Sequence, residues 1–180
     1  MRLCHTAAPR LVVMLLAPWA LGACTMVGSQ APPPAPGSAG SGRDAAVGPV
    51  SASEAARITS GVVELALGAI GTPYVWGGTD ENGFDCSGLI QYAYGEFGIL
   101  LPRVSSAQLQ TGSPVALQPD LLRAGDILGF SLDDPDKPTH VGLYVGNYEF
   151  IHSSSSGVKV ANIRNPYWQE HLSAARRIVP

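Results

Sequence analysis

The chain has 180 residues, 46% hydrophobic and only 14% charged, with a formal net charge of −3. That length allows one ordinary domain with appendages. With 11 basic residues against 14 acidic ones and no basic patch, nucleic-acid binding is excluded as a leading reading.

Arg2, His5 and Arg10 frame a basic start, and residues 11–20 form an apolar run interrupted by Pro18. That run is too short to span a bilayer, which needs about 20 residues, so residues 1–23 are expected to be a signal peptide. Leu21-Gly22-Ala23-Cys24 follows and looks like a bacterial lipobox, with Cys24 as the lipidated residue. Two or more acyl chains hold a protein stably on a membrane where one does not. Thr25 stands where an inner-membrane retention signal would resemble Asp, which favours the outer membrane, facing the periplasm. Loss of Arg2 and Arg10 with the signal takes the side-chain balance from −3 to −5. Of the three cysteines, Cys86 is then left without an intramolecular partner, a free thiol in an oxidising compartment.

Residues 24–50 are rich in Ala, Pro, Gly and Ser and show no helical or strand period, so a disordered tether is expected there. The folded domain is expected over residues 51–180. Ser51 and Glu54 have capping-box spacing. Ala55, Ile58, Val62, Leu65, Ala66 and Ala69 then keep the stripe of an amphipathic helix, stopped by Gly71-Thr72-Pro73. A second helix is predicted over residues 86–97, capped by Asp85, with Gly98 past its end. Ser105 and Gln108 have the spacing of another capping box, for a short helix ended by Gly112. Strands are predicted over residues 126–131, 140–145, 148–153, 157–163 and 175–179, with a helical stretch near His171. Helices first, then strands joined by short turns, predict an α+β fold with an antiparallel sheet.

Cys86 falls in the first turn of its helix, where unpaired backbone N–H groups and the positive end of the dipole favour the thiolate and could bind an oxyanion. Ser87 and Gly88 are small enough to let a substrate backbone approach. The plain alternative for such a cysteine is a small core residue. A thiolate nucleophile wants an imidazole, and His140 and His152 flank a predicted hairpin with its turn near Gly146-Asn147. A two-residue turn there would send the rings to opposite faces. An odd loop, Val145-Gly146-Asn147 with a bulge, sets His140 opposite His152 and Gly142 opposite Phe150, with both rings turned towards Cys86.

Six stretches, taken in order, resemble the NlpC family of papain-like cell-wall cysteine peptidases. They are residues 71–78 (GTPYVWGG), 84–89 (FDCSGL), 101–103 (LPR), 125–126 (GD), 140–146 (HVGLYVG) and 150–152 (FIH). The resemblance implies a papain-like fold with Cys86 as nucleophile, His140 as base and His152 as the residue that orients it. It places Tyr74 in the active site and Asp85, Ser87 and Arg103 in contact with substrate. Asp85 as a mere helix cap, Arg103 as a surface ion pair and Tyr74 as a core aromatic are the plain alternatives, and Trp76 is read as packing. Gly129, where the family has a large apolar residue, and the acidic segment 132–138 are expected to reshape the cleft rim.

The implied reaction is hydrolysis of amide bonds in peptidoglycan stem peptides, at the γ-D-glutamyl–diamino acid bond or the diaminopimelate cross-link, by a monomer. The rival expectations are a silent wall-binding lipoprotein and an amidase or acyltransferase on another substrate. No metal cluster, phosphate loop or cofactor site stands out, so neither metal nor cofactor is expected.

Overall fold

The computed structural model describes residues 50–134 and 137–180, all within the compact unit Ala45–Pro180. The expected signal peptide, Cys24 and the tether up to residue 49 lie outside the described residues, as do Pro135 and Asp136.

Helix α1 spans Ala52–Gly68, and the Ser51 hydroxyl accepts the Glu54 N–H at its start, as the capping-box spacing predicts. Its inward stripe is Ala55, Ile58, Val62 and Ala66. Two short strands, β1 (Thr79–Asp80) and β2 (Gly83–Phe84), form a hairpin that the sequence pattern did not announce. Two-residue strands carry too few side chains to show a period.

Helix α2 spans Cys86–Gly95, with the Asp85 side chain as its N-cap. It stops two residues short of the predicted Phe97, because Phe97 and Gly98 bond back three residues, to Tyr94 and Gly95, and tighten the last turn. Helix α3 is the single turn Ser105–Gln108, and its N-cap is Val104. The second capping box is therefore corrected: Ser105 is the first helical residue, and both polar side chains are used elsewhere. Gln108 is fully buried and its amide nitrogen donates to the carbonyls of Ser87 and Pro102. It ties α3 to the first turn of α2.

The main sheet holds β3 (Ser113–Pro114), β4 (Ile127–Phe130), β5 (His140–Gly146), β6 (Glu149–Ser154), β7 (Gly157–Asn162) and β8 (Leu172–Arg177). Their order is β3-β8-β4-β5-β6-β7, antiparallel throughout. The expected α+β class is what the structure has. The last strand begins three residues earlier than predicted, where Leu172 pairs with Phe130 past a bulge whose extra residue is Ser173 of β8. Leu172, Ser173 and Ala174 lack the β-branched signal that would have revealed it. Between β7 and β8 lies α4 (Pro166–His171), capped by the Asn165 side chain.

Alternation along the strands makes two cores. Ile127, Val141, Leu143 and Ile151 face α1 and α2 and pack with Val62, Leu89 and Ala93. Leu128, Phe130, Tyr144 and Phe150 form a second cluster on the other face, covered in part by Trp168 of α4. Burying such side chains contributes about 1.5–3 kcal/mol each. Gly129 lies inside this framework, not at a cleft rim as expected: a Cβ there would stand 2.5 Å from Leu109, whose side chain fills the space.

Candidate active site

The β5–β6 hairpin sets the geometry of the two histidines. Leu143 pairs with Ile151 and Tyr144 with Phe150, while Gly146 pairs with Glu149, so one extra residue is taken up at Val145. Asn147 and Tyr148 make the turn, with φ of 52° and 66°, the paired positive values of a type I′ hairpin. This corrects the expected register by two residues. Carried back along the strands, it sets Gly142, not His140, opposite His152, and Phe150 opposite Tyr144, not Gly142. A shift of two keeps parity, so both rings still share one face. They meet diagonally, with His140 Nε2 2.8 Å from His152 Nδ1 and the ring planes at 88°. Gly142 leaves room for the Phe150 ring, since a Cβ there would stand 2.5 Å from it.

The shared face is that of the second core cluster, with Phe130, Phe150 and Trp168, and not the one on which α2 packs. This corrects the expectation that both rings turn to the face that carries α2 and Cys86: the approach of the histidines to the thiol runs past the start of β5, not across the face of the sheet. A cleft of about 790 Å³ is lined by Cys86, Tyr74, Arg103 and Ser105 on one side and by Lys137, Pro138 and Thr139 on the other. Thr139 directly precedes His140. The described part of the acidic segment thus borders the cleft, as expected, and Lys137 pairs with Asp134 at 3.3 Å.

Cys86 is partly buried at the first turn of α2, and its Sγ lies 3.4 Å from the Ser105 hydroxyl. The Asp85 carboxylate accepts from the N–H of Gly88 at 2.7 Å and of Gly77 at 3.0 Å, from Ser87 Oγ at 3.2 Å, and from both Arg103 guanidinium ends at 3.0 and 2.6 Å. Burial opposes its charge, but Arg103 and the two amides outweigh that and hold the carboxyl below its ordinary range. Arg103 also donates to Ser87 Oγ at 3.0 Å. Tyr74 is joined to Phe84 by an isolated bridge, and its hydroxyl is held above the ordinary range by burial, then by the charges of Cys86 and Asp85. It keeps its proton and can donate. Gly88 does not face substrate, as had been expected. A Cβ there would lie 1.9 Å from the Gly78 carbonyl oxygen, so its smallness serves the seating of α2 against the 77–78 loop.

Burial pushes the pKa of His140 down to about 4 and that of His152 to about 3, the latter also through His140 and Lys159. Both rings are neutral near pH 7. His140 Nε2 is engaged by His152, which leaves Nδ1 as the nitrogen available for proton transfer. His152 is 1% exposed. A nucleophile-type thiol, a neutral imidazole beside its cleft and a second imidazole fixing the first can support acyl transfer. Among the described residues no cluster of acidic, His or Cys side chains could hold a metal ion.

Three residues were missed in sequence. Ser105 reaches the thiol, and only its position after Arg103 hinted at that. Trp168 packs on both histidines, and nothing local marks it. Trp76, read as packing, is 88% exposed and lines the cleft. His171, expected at the surface, bonds through Nδ1 to the Tyr167 carbonyl within α4.

The fold and site thus define an α+β domain of papain-like type, with a helix-tip cysteine and a sheet-borne imidazole pair. The NlpC/P60 family model matches residues 71–177, and the chain belongs to the NlpC/P60 family. It is 41% identical over 119 residues to the bifunctional muramidase/DL-endopeptidase CwlT of Bacillus subtilis, covering 65% of this chain and 36% of that protein. It is 37% identical over 114 residues to the murein DD-endopeptidase MepH of Escherichia coli, covering 61% and 42%. Both curated relatives are therefore more than twice as long as the part this chain matches. Among solved structures, the peptidoglycan hydrolase RipB of Mycobacterium tuberculosis superposes with a TM-score of 0.62 at 30% identity, over 73% of this chain and 69% of that one.

Proposed function

We propose that this chain is a cysteine endopeptidase that hydrolyses amide bonds in the stem peptides of peptidoglycan. The observation that carries the reading is the cleft lined by Cys86, at the first turn of α2, and by Thr139, the residue directly before His140, which is bonded to His152. Family membership and relatives named as endopeptidases support it.

His140 Nδ1 takes the Cys86 proton as Sγ attacks the amide carbonyl. For Nδ1 to accept, Nε2 must carry the hydrogen given to His152 Nδ1, so His152 holds the ring in the working tautomer. The first-turn N–H groups of α2 and the Tyr74 hydroxyl are donors for the developing oxyanion. His140 then returns the proton to the leaving amine, and water releases the thioester with His140 as base. Asp85, Ser87 and Arg103 form one bonded unit on the cleft wall that shapes the peptide site. The bond cut is the γ-D-glutamyl–diamino acid bond or the diaminopimelate cross-link.

The chain is further inferred to be anchored through Cys24 to the outer membrane, facing the periplasm, and to act as a monomer. The Leu21-Gly22-Ala23-Cys24 tetrad supports the anchor. Among the described residues no helix is long and apolar enough to cross a membrane. Incubation with purified peptidoglycan and mass analysis of the released fragments tests the function. New termini within the stem peptides are expected and identify the bond. Release of glycan fragments with intact stems, or of nothing, contradicts the proposal.

A further inference from the structure

Helix α4 is six residues long and carries no fully buried side chain, yet it is fixed at both ends. The Asn165 side chain caps its start, and the His171 carbonyl accepts the Ser131 N–H at 2.9 Å. The ring it turns inward is Trp168. That indole lies stacked on His140, centroids 5.9 Å apart and planes at 25°, and edge-on to His152 at 4.9 Å and 79°. The two histidines are themselves 5.0 Å apart. All three rings are mutually adjacent, so the indole covers the pair that shares the 2.8 Å hydrogen bond. Phe130 at 4.9 Å and Phe150 at 5.1 Å brace it from the sheet.

We propose that Trp168 is a positioning residue for the reaction: it fixes the plane of the His140 ring and keeps water from the His140–His152 hydrogen bond. The proposal rests on the reading of His140 as the base. Among the described residues the His140 ring makes one hydrogen bond, to His152, and one bond by itself leaves a ring free to pivot about it. A flat partner on one side removes that freedom, as offset aromatic contacts do. Excluding water also strengthens the bond between the rings, and it accounts for part of the burial that keeps both imidazoles neutral. Trp168 sits outside the cleft lining, so its effect falls on turnover and not on substrate affinity.

The test compares Trp168→Phe and Trp168→Ala in the full chain. The readouts are ring-nitrogen NMR titration of His140 and His152, kcat and KM on purified peptidoglycan, and an unfolding curve. Trp168→Ala should lower kcat about 10- to 100-fold, the range of a misplaced general base, with KM changed less than about twofold. Its His140 midpoint and the acid limb of its rate profile should both move up towards the ordinary 6.5. Trp168→Phe, which keeps a flat ring, should recover part of both. Unmoved midpoints in a folded variant, or a kcat loss no larger than the unfolded fraction, overturn the proposal. If the alanine variant does not fold, the phenylalanine variant decides by the same titration. That titration needs no substrate, so it is separate from the peptidoglycan assay: loss of the endopeptidase reading would leave the NMR result standing, and the reverse.

Discussion

Asp85 and His152 both hold other site groups in place through their side chains. Asp85 caps α2 and grips Arg103 with one carboxylate, so the helix-cap alternative holds alongside its place on the cleft, while the acid that Arg103 pairs with is buried and not a surface one. His140 directly follows Thr139 of the cleft lining, and His152 is bonded to His140 through Nδ1 and lies edge-on to its ring. That division predicts unequal variants. His140→Ala and His140→Gln should both lose on the order of 10²-fold or more in kcat, since neither side chain can shuttle a proton. A Gln at position 152 can accept the same hydrogen bond, so His152→Gln should keep several-fold more activity than His152→Ala. Equal losses for His140→Gln and His152→Gln in a steady-state assay would remove the distinction between base and orienter.

At the scale of elements, the site is the meeting of three short pieces: the tip of α2, the loop through Gly77-Gly78 and the head of β5. The first two are locked by contact with no slack, the Gly88 Cα against the Gly78 carbonyl and Asp85 Oδ2 against the Gly77 N–H. Gly88→Ala should therefore push α2 off the loop and cost about 1–3 kcal/mol, as overpacking does. Urea unfolding should show the loss, together with reduced activity from a displaced Cys86. Stability and turnover both unchanged would mean the contact is looser than drawn.

Much of this was legible in the chain. The Ser51 and Asp85 caps, the α2 start and the bulge-dependent parity of the β5–β6 hairpin each follow from local spacing. The register itself was not legible. The positive φ falls on Asn147 and Tyr148, and a tyrosine gives no turn signal, so the loop was placed one residue early. Trp168 was invisible for a different reason: it meets the histidines only because α4 is sewn back to β4 through Ser131 and Leu172. Ser105 and Gln108 were legible as a pair but misassigned, since capping-box spacing also suits two inward-facing side chains one turn apart.

For the whole molecule, the buried histidines tie folding to pH. Their folded pKa values, about 4 and about 3, lie below the unfolded value near 6.5. The unfolded chain binds more protons between those limits, so stability is fully present above about pH 6.5 and is lost as pH falls towards 4 and below. Each proton fully taken up only on unfolding costs about 1.4 kcal/mol per pH unit. Thermal midpoints should be flat from pH 8 to 7 and fall from 6 to 4, and His152→Gln should flatten that slope. A wild-type midpoint constant down to pH 4 would contradict the buried, neutral pair. The proposed anchor is a property of the same scale. Cys24→Ser should move the chain from the membrane fraction to the soluble one while the domain stays active on added peptidoglycan. A Cys24→Ser chain that still sediments with membranes and takes up labelled lipid is inconsistent with anchoring at that residue.

The thiol is the one group that the proposed reaction cannot lose. Cys86 is partly exposed in an open cleft, so Cys86→Ala removes one sulfur at little cost to the fold. The most direct measurement is the rate of stem-peptide cleavage in purified peptidoglycan by the wild type and by Cys86→Ala, with matched unfolding curves. A folded variant with no detectable cleavage is expected. Activity above about a tenth of wild type, far more than loss of a covalent nucleophile allows, would show that Cys86 does not attack the substrate.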